Sequence, residues 1–456
     1  MIQFIATLPS YPQDFVAQAV WRLVKERFDD DEGVCYYKYP VVKTNVGVMP
    51  DLTLLVRKNQ PLVIRCLQYQ LEQIEAVNEN EWKMDGVVIE SPLLELEDLA
   101  VILKAKFDRE RQLRKHRIDP LAVLALPLIS QRKFELKFGP VEKILGEVCT
   151  IWENSISGEL LSSLESPLSD TDWRLTRAVL QGVTPLNKHS NTIINDVTNL
   201  SAAIKKLDEE IALLDKEQEK AALQIAPGPQ CIRGLAGTGK TVLLAMRAAN
   251  IHLHYPDQKI LFTFNTQSLY NQAKTLISKF YRVHSDTDPN WERLHIRHGW
   301  GGRSRPGVYS DLCVRQKVPP LDLSGARTIK WNDPFRACCQ RALEFPILPE
   351  YDFILVDEAQ DFPKEFFEIL YKLAIVHQDR QIYLAYDELQ TLSSLETQKP
   401  ENRFGVDAKG IPLLSFEGDD YPGDMERDFV LHRSYRCPQQ ILMLAHAIGL
   451  GLYNPK

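Results

Sequence analysis

Cys231-Ile232-Arg233-Gly234-Leu235-Ala236-Gly237-Thr238-Gly239-Lys240-Thr241 is the stretch from which the rest of the chain is read. It holds the spacing G-x-x-x-x-G-K-T, a loop whose backbone amides converge on phosphate groups. Gly234, Gly237 and Gly239 let the main chain bend, so that N–H groups, those of Ala236 and Thr238 among them, face one point. Lys240 adds a full positive charge there, and Thr241 offers a hydroxyl to a magnesium ion. Gln230-Cys231-Ile232 reads as a short strand leading in. The run Val242 to Ala249 reads as a helix leading out, which would seat the phosphates on a helix N-terminus.

Such a loop needs a carboxylate partner, and the chain supplies one downstream. The apolar run Tyr351 to Val356 reads as a strand that delivers Asp357 and Glu358 to its C-terminal end. Asp357 is expected to hold Mg²⁺, directly or through water, and Glu358 to orient and deprotonate an attacking water. Lys259 to Asn265 reads as another strand with a polar end, where ligands of open α/β sheets gather. Gln381 to Asp387 is a further one, and Gln390 just beyond it is placed to sense a γ-phosphate. Arg436, in Leu431 to Pro438, can stabilise developing phosphoryl charge. Gln218, shortly before the loop, carries an amide able to donate and accept at the edge of an adenine.

Taken together these segments resemble superfamily 1 helicases of the UvrD/Rep type, over roughly the last half of the chain. In that resemblance Gln218 matches the adenine-reading Q motif and Gly234 to Thr241 motif I. Thr263-Phe264-Asn265 matches motif Ia, which touches single-stranded DNA. Asp357-Glu358-Ala359-Gln360 matches motif II, Asp387 with Gln390 motif III, and Ser434-Tyr435-Arg436 motif IV. The resemblance implies a RecA-like P-loop NTPase lobe with a parallel sheet, ATP and Mg²⁺ as cofactors, and single-stranded or partly duplex DNA as partner. Its first lobe would span 214–430, with a short insertion at about 301–345 carrying Arg303, Arg305 and two prolines. In the family such an insertion borders the DNA. Trp300, in His298-Gly299-Trp300, is either a base-stacking aromatic or a core residue. The sequence runs only about twenty residues past motif IV, so 431–456 is read as the start of a second lobe. The expectation is weak hydrolysis by this chain alone, with the second lobe supplied by a longer protein or by a partner.

Residues 1–150 carry a different pattern. Pro12 to Phe28 and Leu93 to Lys106 read as helices, and Val34–Tyr37, Leu52–Val56, Leu62–Ile64 and Leu121–Leu126 as strands, with a turn at Lys58–Pro61. This order resembles the nuclease fold with the PD…(D/E)xK motif, closest to the nuclease-related domain found before helicase modules. The family binds metal with an aspartate and a glutamate and activates water with a lysine. Here Asp51 fits the first position, but Arg65 stands where the glutamate belongs and Leu67 where the lysine belongs. The resemblance therefore implies a kept restriction-endonuclease-like α/β fold without its chemistry, since a divalent metal would have too few oxygen ligands. An active nuclease–helicase would need Asp14, Glu72 or Glu75 to replace the missing ligand. The basic run Lys104 to Arg117 has acids interleaved, and reads as a solvated helix face or a phosphate-backbone contact. Residues 151–213 read as a linker, in which Leu200, Ile204, Leu207, Ile211 and Leu214 form one apolar helical stripe.

Composition narrows the remaining choices. The 456 residues are 44% hydrophobic and 25% charged, with a net charge of −7, ordinary for a soluble protein of two to four domains and without an overall nucleic-acid signature. Eight scattered cysteines with no CxxC spacing read as reduced thiols of a cytoplasmic protein. No leader and no apolar run long enough for a membrane is expected. The leading reading is thus a DNA-dependent ATPase module. The other is a nucleotide-sensing regulator that binds DNA or protein without turnover.

Overall fold

Period-2 and fully apolar runs dominate both halves of the chain, and they pair into two large sheets. The computed structural model describes residues 2–28, 30–40, 48–78, 80–146, 148–153, 155–156, 167–183, 214–285, 287–302, 306–387, 403–407, 409–434, 443–444 and 447. The chain divides into two compact units, Met1–Leu214 and Asp215–Lys456.

The first unit is built on a mixed sheet. Its strands are β1 (Ile2–Ala6), β2 (Gly33–Tyr37), β3 (Leu52–Val56), β4 (Leu62–Cys66), β8 (Leu121–Leu126), β9 (Cys149–Trp152) and β10 (Ser155–Ile156), in the order β1-β2-β3-β4-β8-β9-β10. β1 and β2 run parallel, so they need a crossover, and helix Phe15–Arg27 provides it. Asp14 starts that helix by accepting the Ala17 amide at 3.0 Å. Val16, Val20 and Val24 recur at four-residue steps and are buried with Ile2, Leu52, Leu54, Leu62 and Ile64 in one core. β2, β3 and β4 are antiparallel, and β4, β8 and β9 parallel. Helix Pro92–Asp108, capped by Ser91, buries Leu96, Leu99, Leu103 and Phe107. A separate antiparallel sheet comprises β5 (Ile74–Val77), β6 (Glu81–Met84) and β7 (Val87–Glu90).

The second unit carries a six-stranded sheet with every pairing parallel. Its strands are β11 (Gln230–Gly234), β12 (Ile260–Phe264), β13 (Leu294–His298), β14 (Phe353–Val356), β15 (Gln381–Tyr386) and β16 (Asp428–Leu431), in the order β13-β12-β14-β15-β11-β16. Parallel sheets are covered on both faces, and β14 and β15 are accordingly buried at every position. Crossover helices Lys240–His254, Leu269–His284 and Lys364–Leu373 join successive strands. Three short helices, Val308–Gln316, Leu323–Ile329 and Pro334–Leu343, lie between β13 and β14 where the sequence suggests an insertion. The chain leaves β11, skips two positions to form β12, and later fills the gap with β14 and β15. The C-terminal ends of β11 and β14 thus flank the end of β15, the crevice in which ligands of such sheets bind.

Candidate active site

The loop after β11 is shaped by what surrounds it. A side chain at Gly234 would meet Leu431 and Thr238 at 2.9 Å, so β16 can lie against the loop only with glycine there. Gly239 takes φ 91° at the cap of helix Lys240–His254, a left-handed conformation that glycine adopts at little cost. The Thr238 hydroxyl donates to the Leu235 carbonyl at 2.9 Å and ties the turn. Lys240, 7% exposed, folds back over it. Its Nζ donates to the carbonyls of Gly234 at 2.7 Å and Leu235 at 3.0 Å, and lies 3.5 Å from Asp387 Oδ2.

Gln218 belongs to the same construction. It is the third residue of helix Lys216–Leu223, where it closes a capping box with Asp215. Its Nε2 donates to the Thr238 carbonyl at 3.1 Å, and its Oε1 accepts the Asp215 amide at 3.2 Å. Both ends of the amide that the sequence offers to an adenine are therefore engaged here, one bracing the phosphate loop and the other capping its own helix. Ser434, beyond β16, adds a hydrogen bond from its hydroxyl to the Ala236 carbonyl at 3.0 Å.

The acid pair follows β14. Asp357 is 1% exposed, and its Oδ1 accepts the Glu358 amide at 3.1 Å. Its Oδ2 is buried without a hydrogen-bond partner, an expensive arrangement for an oxygen anion. Burial pushes the carboxyl up to about 7, with the Glu358 charge acting the same way, while the Thr241 hydroxyl, the Glu358 amide and Lys240 pull it down. A divalent cation would resolve this. An orphaned carboxylate oxygen beside a hydroxyl is a hard-oxygen donor set suited to Mg²⁺. Asp357 and Thr241 fit as its protein ligands. Among the described residues no cluster of three or more His, Cys, Asp or Glu side chains offers another metal site.

Glu358 adopts φ 49°, ψ 49°, uncommon for a residue with a side chain and typical of positions held for function. Its Oε2 accepts a 2.6 Å hydrogen bond from Gln360 Nε2, and Gln360 Oε1 accepts the Asp387 amide at 3.1 Å. Contacts thus run from Lys240 to the Asp387 carboxylate, and from the Asp387 backbone amide through the Gln360 side chain to Glu358, across the ends of β11, β15 and β14. Sequence reading names Gln360 and Asp387 as motif members but gives neither this connection.

Other sequence expectations meet different fates. Thr263 is 0% exposed inside β12, so its side chain cannot touch a nucleic acid from there. Trp300 stacks on Phe335 at 5.5 Å and its Nε1 donates to Leu321 O at 3.3 Å, so of the two readings its contacts are those of a core residue. Asn265 remains at the strand end, its Nδ2 donating to Asp361 O at 3.3 Å. His298, which sequence reading notes only as a neighbour of Trp300, pins this edge. Its Nε2 lies 2.6 Å from Asn265 O, and its Nδ1 accepts the amides of Trp300 and Gly301. Gln390, Tyr435 and Arg436 lie outside the described residues, as do Arg303, Arg305 and, Leu214 apart, the apolar stripe of the linker.

In the first unit Asp51 is 6% exposed. Its Oδ2 accepts the Cys66 amide at 2.8 Å and faces Arg65 Nη1 at 3.3 Å, while Arg65 Nε lies 3.4 Å from Glu95. The guanidinium therefore fills the space between two carboxylates. Burial raises the Asp51 carboxyl, against the pull of Arg65. Asp14 sits nearby, bonded by Tyr37 Oη at 2.9 Å and Lys38 Nζ at 3.4 Å. Glu75 is elsewhere, on β5 and paired with Lys83, and Glu72 lies in the short turn Leu71–Gln73. In the basic run, Lys104 pairs with Asp119.

Residues 201–369 match the family model described as "Type III restriction enzyme, res subunit". The match spans the phosphate loop and the acid pair, and supports a helicase-type segment there. No curated protein matches the sequence. Among solved structures, the chain is similar to one described as the DUF1998 helicase MrfA bound to DNA. The identity is 11% over 51% of this chain and 29% of that one, with a TM-score of 0.28. The chain spans less than a third of that protein, and a superposition of this quality carries no argument. No helix among the described residues is long and apolar enough to cross a membrane.

Proposed function

We propose that the second unit binds ATP with Mg²⁺ and hydrolyses it as the DNA-dependent motor module of a UvrD/Rep-like superfamily 1 helicase. The observation that carries this reading is the convergence of Lys240, Asp357 and Glu358 around the end of β15, with Asp387 and Gln360 between them. In this reading the loop amides from Gly234 to Thr241 and Lys240 hold the phosphates. Asp357 and Thr241 hold Mg²⁺, which when bound offsets phosphate charge. Glu358 orients the attacking water and takes its proton, Gln390 senses the γ-phosphate and Arg436 stabilises charge on it. Gln218 acts on the loop from behind as well as beside the base. Asn265 is the residue retained as a DNA contact. The proposed division is 1–150, 151–213, 214–430 with the insertion at 301–345, and 431–456. A cytoplasmic setting belongs to the same reading, supported by seven free cysteines among the described residues.

For residues 1–150 we propose a nuclease-related fold that has lost its chemistry. Arg65 supports this, since it holds Asp51 and Glu95 as a resident cation where metal ligands would be needed. Magnesium-dependent DNA cutting that disappears in Asp51→Ala would refute it.

A specific observation favours a second reading, a nucleotide-sensing regulator without turnover. Lys240 is occupied by its own loop and by Asp387, so the site rests in a closed form. Measuring ATP hydrolysis with and without single-stranded DNA separates the two, with Lys240→Ala and Glu358→Gln as controls. The motor reading expects DNA-stimulated turnover lost in both variants. Equal low rates in all three proteins would favour the regulator.

A further inference from the structure

We propose that Asp387 is a positioning residue, a built-in counter-charge that holds Lys240 away from phosphate until nucleotide replaces it. The inference rests on the nucleotide-binding reading above and goes beyond it.

Three observations converge. Lys240 Nζ points into the loop's own carbonyls and at Asp387 Oδ2, 3.5 Å away. Both side chains are nearly inaccessible, at 7% and 2%, so little water competes with the pair and its charges are poorly screened. Asp387 stands at the end of β15, the strand between β11 and β14, so its carboxylate faces the phosphate loop while its backbone belongs to the acid-pair side. Its amide donates to Gln360, and Gln360 in turn holds Glu358.

An ammonium paired with a buried carboxylate must leave it to meet a phosphate. Part of the phosphate's attraction is therefore used to break the existing pair, and the free protein is shifted toward a form that binds nucleotide poorly. The apparent dissociation constant is the intrinsic one divided by the competent fraction. Once Lys240 turns to a phosphate, its 3.5 Å pairing with the Asp387 carboxylate is broken. Gln360 meets Asp387 only at its backbone amide, so the contributions are separable: the Asp387 carboxylate acts on affinity through Lys240, and Gln360 on turnover through Glu358.

The test is titration of a fluorescent (mant) ATP analogue with Mg²⁺ into the full chain, alongside steady-state ATPase rates. Asp387→Asn is expected to bind about three- to tenfold tighter than the parent, chiefly through a faster on-rate, as expected when a competing closed form is removed. Asp387→Ser is read in parallel, so that one poorly folding substitution does not decide the matter, and circular dichroism monitors both. Gln360→Leu is expected to leave affinity within about twofold and to change the hydrolysis rate alone. Unchanged or weaker binding by folded Asp387→Asn and Asp387→Ser would overturn the proposal while leaving nucleotide binding standing. Failure of the parent chain to bind the analogue would overturn both.

Discussion

Glu358 shows how a single residue can trade backbone comfort for position. A side-chain-bearing residue in the left-handed region costs about 1 kcal/mol or more, which glycine escapes. Glu358→Gly should therefore melt higher than Glu358→Gln, by about 1 kcal/mol, while both lose hydrolysis by about 100-fold or more. Thermal unfolding and ATPase rates check the two halves separately. Asp357 carries a pH signature. Its carboxyl stands at about 7 in the folded protein, far above the ordinary 3.8. A raised value means the protonated form stabilises the fold below about pH 4, and that this contribution is lost as pH climbs through 7. Without magnesium, Asp357→Asn should match the parent near pH 4 and exceed it above pH 7, by on the order of 4 kcal/mol. Urea titrations across that range would show it. Magnesium affinity should rise over the same interval, because the ion competes with a proton. The identities of Lys240, Asp357 and Glu358 were legible because each sits at a fixed spacing from a strand or a glycine turn. The Asp387–Gln360 connection was not, since it depends on which strand lies between which.

At the scale of elements, apolar runs gave most of the helices and strands they promised. Leu52–Val56, Leu121–Leu126 and the strand before Asp357 are uniform enough in composition to read directly. β13 and β16 were not legible. Leu294-His295-Ile296-Arg297-His298 and Asp428-Phe429-Val430-Leu431 are short and carry polar residues, and they become strands only because β12 and β11 offer open edges. Nor does helical spacing disclose Arg247, which is fully buried in helix Lys240–His254. Its Nη1 donates to Gln230 Oε1 at 2.9 Å, its Nη2 to Ala221 O, and its guanidinium lies over Tyr383 at 5.0 Å and Phe429 at 5.7 Å. Burial lowers its pKa to about 10. One side chain thus locks the phosphate-loop helix to β11, β15, β16 and helix Lys216–Leu223. Arg247→Ala should cost about 3–5 kcal/mol, measured by denaturant unfolding of residues 215–456. Arg247→Met, which keeps the apolar stem, should recover part of it.

At the scale of the whole molecule, each unit has a core of its own, one centred on Val16, Val20, Leu54 and Ile64 and the other on Ile354, Leu384, Phe366 and Leu370. Fragments 1–183 and 215–456 are accordingly expected to unfold cooperatively on their own, in single transitions seen by circular dichroism. A fragment that stays unstructured would contradict the division. Pattern and composition told the halves apart, but strand order in either sheet was beyond them, because parallel pairing joins residues too distant in the chain for local rules to connect.

β11 has a consequence for synthesis. It pairs with β15 and β16, so its two neighbours are encoded roughly 150 and 200 residues after it. While the ribosome works at about 5–20 residues per second, the nascent phosphate loop waits of order ten seconds or more with both flanks bare. Messages truncated before codon 428 would release chains whose β11 keeps one flank open, and these should be prime clients of chaperones.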